Sequence, residues 1–135
     1  MSHLDRHPLI RMLRALDLPT SEYVVFGSGP LLAHGLRTQL GDLDIVARGA
    51  AWHRLAAMKA PEVAPSGHGQ MVRLQIEAAD QWLPGFDTGH LIATAEHHAG
   101  IPFAPLTEVI RSKRLTGRPK DHRDIALIDT ATRWH

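Results

Sequence analysis

The chain has 135 residues, 44% of them apolar and 21% charged, a formal net charge of +1 and no cysteine. That length suits one domain, 1–135, with a single core, and the composition argues against disorder. Without cysteine there are no disulfides, thiolate metal sites or cysteine nucleophiles, and the near-neutral balance gives no general coat for nucleic acid. No apolar run approaches the roughly 20 residues that span a bilayer. The opening MSHLDRHPLIRMLRALDL carries both charge signs and lacks the apolar stretch of a signal peptide, so a cytoplasmic protein is expected. The 10 histidines are scattered without zinc-site spacing and read as solvated imidazoles.

In chain order, Leu9, Ile10, Leu13 and Leu16 recur at helical spacing, which predicts an amphipathic helix over 5–17. Tyr23-Val24-Val25-Phe26 reads as a strand buried on both faces. Gly27-Ser28-Gly29 is a turn, and Pro30 opens a short helix through PLLAHGLR. Residues 42–47, DLDIVA, read as a second strand, and 50–59 as a helix. Prolines and glycines make 60–69 a loop or irregular edge. In 71–78, Val72, Leu74 and Ile76 alternate with Arg73, Gln75 and Glu77, the pattern of one half-buried strand. Residues 80–87 suit a loop or a short strand, and 89–98 slightly favour a helix. Gly100 to Phe103 suits an edge strand, where Pro102 is tolerated. Thr107 is a plausible cap for a helix over 107–115 that Gly117 ends. Pro119 starts a last helix running to Trp134, with Ile125, Leu127 and Ile128 inward. Trp52 and Trp82 read as packing residues. The expected fold is α/β (α+β): a small mixed sheet with helices packed on it, its core over about 20–80 and C-terminal helices over about 105–135.

Asp42 and Asp44 sit two apart on a strand, so their side chains share a face. Like charges that close repel and call for a cation. Mg²⁺ takes oxygen ligands, often one or two carboxylates with substrate phosphates, and phosphoryl transfer commonly uses two such ions. Glu77, on the polar face of 71–78, is the candidate third acid. The Gly27-Ser28 turn before a helix offers backbone N–H groups to a phosphate, with the Ser28 hydroxyl adding a hydrogen bond. The basic run around Lys113, Arg114, Arg118 and Lys120 would neutralise remaining phosphate charge.

These residues resemble the nucleotidyltransferase superfamily that includes DNA polymerase beta. Phe26-Gly27-Ser28, a spacer over 29–41 and Asp42-Leu43-Asp44-Ile45-Val46 match its signature. The tail KRLTGRPKDHRDIALI is similar to that of small prokaryotic members related to toxin–antitoxin nucleotidyltransferases, at Lys113, Arg118, Lys120, Asp121 and Asp124. The resemblance implies a minimal nucleotidyltransferase fold in which Asp42, Asp44 and Glu77 are catalytic and hold Mg²⁺. Gly27, Ser28, Lys113, Arg118 and Lys120 would bind the nucleotide. It implies attack of a protein or RNA hydroxyl on the α-phosphate of an NTP. The short chain would leave the acceptor to a partner protein, a second copy or the 80–100 segment. The alternative is a non-catalytic binding or antitoxin-like regulatory module of the same fold. Asp121 and Asp124 fall in the first turns of the last helix, where acids complement the positive end of its dipole, a structural role.

Overall fold

The computed structural model describes residues 2–133; Trp134, expected to close the last helix, lies outside the described residues. A 3₁₀ turn at His3–Arg6 precedes α1 (Pro8–Ala15), β1 (Tyr23–Phe26), α2 (Gly29–Ala33), β2 (Leu43–Ala47) and α3 (Gly49–Met58). There follow β3 (Glu62–Val63), β4 (Gln70–Arg73), β5 (Ile76–Ala79), α4 (Thr88–Ala93), β6 (Glu96–His98), β7 (Ile101–Phe103), α5 (Leu106–Thr116) and α6 (Pro119–Arg133). The strands form one mixed sheet in the order β3-β4-β5-β2-β1-β7-β6. The expected fold class, a small mixed sheet with helices packed on it, is what the chain adopts.

Both faces of this sheet are covered. Tyr23 and Val25 of β1, with Leu43 and Ile45 of β2, pack under α1 and α3 through Ile10, Leu13, Ala51 and Leu55. The alternate residues Val24, Phe26 and Val46 pack under α4, α5 and α6 through Leu91, Val109 and Ile128. All four residues of β1 are buried, so its apolar run follows from burial on two faces. Among the described residues, no helix is long and apolar enough to cross a membrane.

Several local expectations change. The strand expected over 71–78 is a hairpin: β4 and β5 run antiparallel with Arg73 opposite Glu77, and Leu74 N–H donates to Ile76 O (3.2 Å). The alternation continues through the bend because a hairpin keeps the same residues facing the core. Residues 89–98 divide into α4 and β6, and residues 60–69 contain the two-residue edge strand β3. Pro102 is not on an edge, since β7 lies between β1 and β6. The first helix starts at Pro8, after the 3₁₀ turn, and α2 stops at Ala33, before Gly35 with its positive φ of 72°. Asp42 lies one residue outside β2. Pro105, not Thr107, caps α5, and Thr107 sits within the helix. Gly117 does end α5, in the left-handed conformation at φ 59°, with its N–H on Lys113 O. Within α6, Ile128 is buried and Ile125 half-buried, but Leu127 is 41% exposed.

Candidate functional site

Two strand pairings assemble the site. β1 and β2 run antiparallel with Phe26 opposite Asp44, and β2 and β5 run parallel with Asp44 beside Glu77. Paired residues share a face, so both carboxylates lie on the side of the sheet packed under α5 and α6. Asp42, two residues earlier, joins them. Carboxylate oxygens of Asp42, Asp44 and Glu77 all lie within 4.8 Å of one another. The β4–β5 hairpin is what brings Glu77 there.

Gly27 follows β1 in the left-handed region, at φ 62°. A Cβ on Gly27 would stand 2.5 Å from Asp44 Oδ2, so only glycine lets the turn rest against that carboxylate. Gly29 is similarly confined, its absent Cβ falling 2.4 Å from Val25 Cγ1. The helix that follows the turn has only five residues. So short a helix has little macrodipole to hold an anion.

The three acids and five nucleotide-binding residues that the resemblance implies line one cavity of about 480 Å³: Gly27, Ser28, Asp42, Asp44, Glu77, Lys113, Arg118 and Lys120. Their circumstances differ. Ser28 Oγ donates to Asp124 Oδ2 (2.7 Å) and accepts from Lys113 Nζ (3.1 Å), so its proton is already committed. The expected Ser28 hydrogen bond to a phosphate therefore lacks a free donor. Lys113 is buried, its Nζ 2.9 Å from Asp124 and 3.5 Å from Asp121. Arg118 is exposed and donates from Nε to Asp121 Oδ2 (2.9 Å). Lys120 is exposed at the cavity rim, and Arg114 is exposed without lining it.

Asp121 and Asp124 do more than complement a helix end. Both are buried. Burial alone would raise their pKa values. For Asp121, bonds from Arg118 and from the Thr116 hydroxyl outweigh it; for Asp124, bonds from Ser28 and Lys113 do so. Both stay below the usual carboxylate range. Arg37 adds a contact to Asp124 Oδ1 at 3.3 Å. Together they fasten α6 to α5 and to the Gly27-Ser28 turn.

Asp44 is the opposite case. Burial first, then the charges of Asp42 and Glu77, push its pKa up to about 7, with Lys120 and Lys113 acting the other way. Negative charge is under-compensated here while the buried cation nearby is engaged elsewhere. The nearest cation to Glu77 is Arg73, with Nη1 at 3.6 Å from Oε1. Three oxygen donors with unbalanced charge suit a hard divalent cation of the magnesium kind.

Trp82 and Arg73 were not singled out as site residues. Trp82 lines the cavity, stacks at 4.7 Å on Phe26 and donates from Nε1 to Ser112 Oγ (2.7 Å). A half-buried indole with one edge in a cavity is placed by tertiary packing, and its Asp-Gln-Trp-Leu context carries no signal of that. Comparison of the chain with protein-family models, with curated proteins and with solved structures gave no significant match.

Proposed function

We propose that the protein is a Mg²⁺-dependent nucleotidyltransferase of minimal size. It would act in the cytoplasm, moving a nucleotide from an NTP to a hydroxyl of a protein or RNA acceptor. The observation that carries this reading is the convergence of the Asp42, Asp44 and Glu77 carboxylates on the wall of a cavity that also presents Arg118 and Lys120. The resemblance of the Gly27-Ser28 turn and the Asp-x-Asp strand to the nucleotidyltransferase superfamily supports it.

In this reading Asp42, Asp44 and Glu77 would hold one or two Mg²⁺ ions, which supply charge neutralisation of the phosphates when bound. Gly27 keeps the backbone close enough for the triphosphate to approach Asp44. Arg118 and Lys120 draw the β- and γ-phosphates toward the rim. The acceptor O–H bond breaks, with its proton passing to a carboxylate oxygen of the cluster. A bond forms from the acceptor's own oxygen, now without its proton, to the α-phosphorus, and the bond from the α-phosphorus to the leaving pyrophosphate breaks. Little covalent chemistry falls to the protein, so positioning and electrostatics do most of the work. The acceptor would be held by a partner protein or a second copy of the chain.

One observation favours a second reading, a non-catalytic binding or antitoxin-like module. The Ser28, Lys113, Asp121 and Asp124 network is satisfied internally and also engages Arg118 through Asp121, which leaves Lys120 as the lining cation without an ion pair among the described residues. Calorimetric titration of each of the four NTPs with Mg²⁺ decides between them. The enzyme reading expects magnesium-dependent binding by the wild type that is lost in Asp42→Ala/Asp44→Ala protein. Well-folded wild type that takes up no NTP would refute it and favour the binding module.

A further inference from the structure

Outside the carboxylate cluster, a second group of ligating side chains converges at the far end of the sheet. His34 caps the C-terminal end of α2, and Glu96 and His98 lie two apart on the edge strand β6. Glu96 Oε1 is 3.7 Å from His34 Nε2 and 3.8 Å from His98 Nε2, and the three ligating atoms all lie within 4.8 Å of one another. Glu96 pairs with Phe103 and His98 with Ile101, both residues of the core under α1 and α3. The cluster thus faces that side of the sheet, whereas Asp44 and Glu77 face the other.

A separate observation concerns His98. Its Nε2 is buried and has no hydrogen-bond partner among the described residues. A buried polar atom without a partner is costly and calls for an explanation, an ion or a water being the usual ones. This nitrogen faces Glu96, and the imidazoles of His98 and His34 meet edge to face at a centroid distance of 4.9 Å. The His98 ring is in turn held against Phe103, 5.6 Å away. Two imidazole nitrogens and one carboxylate oxygen form the donor set of zinc sites that keep an open position. Bonds of about 2.0–2.2 Å at tetrahedral angles put ligand atoms about 3.4 Å apart, so the two spacings to Glu96, at 3.7 and 3.8 Å, need to contract by only a few tenths of an ångström, and the two imidazole nitrogens, within 4.8 Å of each other, are brought together by rotation of their side chains. Nitrogen donors also separate this site from the all-oxygen cluster, since imidazole suits zinc, copper or nickel and magnesium does not prefer it.

We infer that His34, Glu96 and His98 bind a divalent transition-metal ion of the zinc class, with water as fourth ligand, clipping the edge strand β6 to α2. The site needs no nucleotide chemistry and stands whether or not the carboxylate cluster is catalytic.

Titration of the full chain with Co²⁺, followed by visible absorption, tests it. Four-coordinate Co²⁺ with imidazole ligands absorbs intensely, whereas an all-oxygen octahedral site absorbs weakly. The expected result is intense bands saturating at one equivalent and abolished by Zn²⁺. They are expected to persist in Asp42→Asn/Asp44→Asn protein and to be lost in His98→Ala and in Glu96→Gln. Imidazole nitrogen NMR of the wild type requires no variant: Zn²⁺ is expected to shift the Nε2 signals of His34 and His98. Absence of intense bands, bands that survive both substitutions, or shifts confined to other histidines would overturn the site and leave an ordinary histidine–glutamate contact.

Discussion

At the scale of single residues, Asp44 concentrates the conflict in the site. Its pKa of about 7 lies above the ordinary aspartate value of 3.8. Between these values the folded protein holds a proton that the unfolded chain releases. The stability this group contributes is therefore present at low pH and declines as pH rises towards 7. Asp44→Asn is expected to stabilise the chelator-treated protein by about 1–3 kcal/mol at pH 8, shrinking towards pH 4. Urea unfolding at both pH values measures it, and equal midpoints for the two proteins at pH 8 would contradict the assignment. Asp42, Asp44 and Gly27 were legible in the sequence because their signals are local: a spacing of two on a strand and a turn glycine. Ser28 was legible as a position but not as a role. Its hydroxyl is engaged by Asp124 and Lys113, both remote in sequence.

At the scale of elements, the junction of α5 and α6 depends on one buried ammonium. Lys113 sits between Asp121 and Asp124, and removing it leaves the buried Asp124 with only the longer Arg37 contact, while Asp121 keeps Arg118. Lys113→Met is expected to cost about 3–5 kcal/mol at pH 7. Both aspartates titrate below the ordinary carboxylate range in the wild type. Their contribution is present above the unfolded value near 3.8 and is lost as pH falls through the depressed folded values. The deficit of the variant should narrow as acid protonates carboxylates that no longer meet the ammonium, and denaturant midpoints at pH 7 and pH 4 check this. The turn between β6 and β7 is under a different constraint. Ala99 has φ 52° and Gly100 has φ 80°, the left-handed pair that a two-residue hairpin turn requires. Alanine pays for that conformation where asparagine tolerates it. Ala99→Asn is expected to stabilise by about 0.5–1 kcal/mol, read as a thermal midpoint a few degrees higher. The β4–β5 hairpin was hidden for a related reason: its Leu74-Gln75 bend contains no glycine, proline or asparagine to announce a turn.

At the scale of the whole molecule, the central strands serve both faces, and their ends meet the cavity. Phe26 closes β1, is fully buried, and packs on Trp82 at 4.7 Å and Phe86 at 5.9 Å. Phe26→Ala is expected to cost about 3–5 kcal/mol and to loosen Trp82 at the cavity wall. Urea unfolding followed by tryptophan fluorescence reports the first, and an unchanged midpoint would show that this packing is dispensable. The sequence by itself determined the fold class, the continuous burial of Tyr23–Phe26, the turn at Gly27 and the shared face of Asp42 and Asp44. These follow from periodicity and backbone sterics, which act between near neighbours in the chain. Only the tertiary structure decided that Glu77 stands beside Asp44, that Lys113 is buried in an ion-pair network, and that His34 meets Glu96 and His98. Those relations depend on strand register and on helix docking, and the free energies that set them come from contacts between residues far apart in sequence.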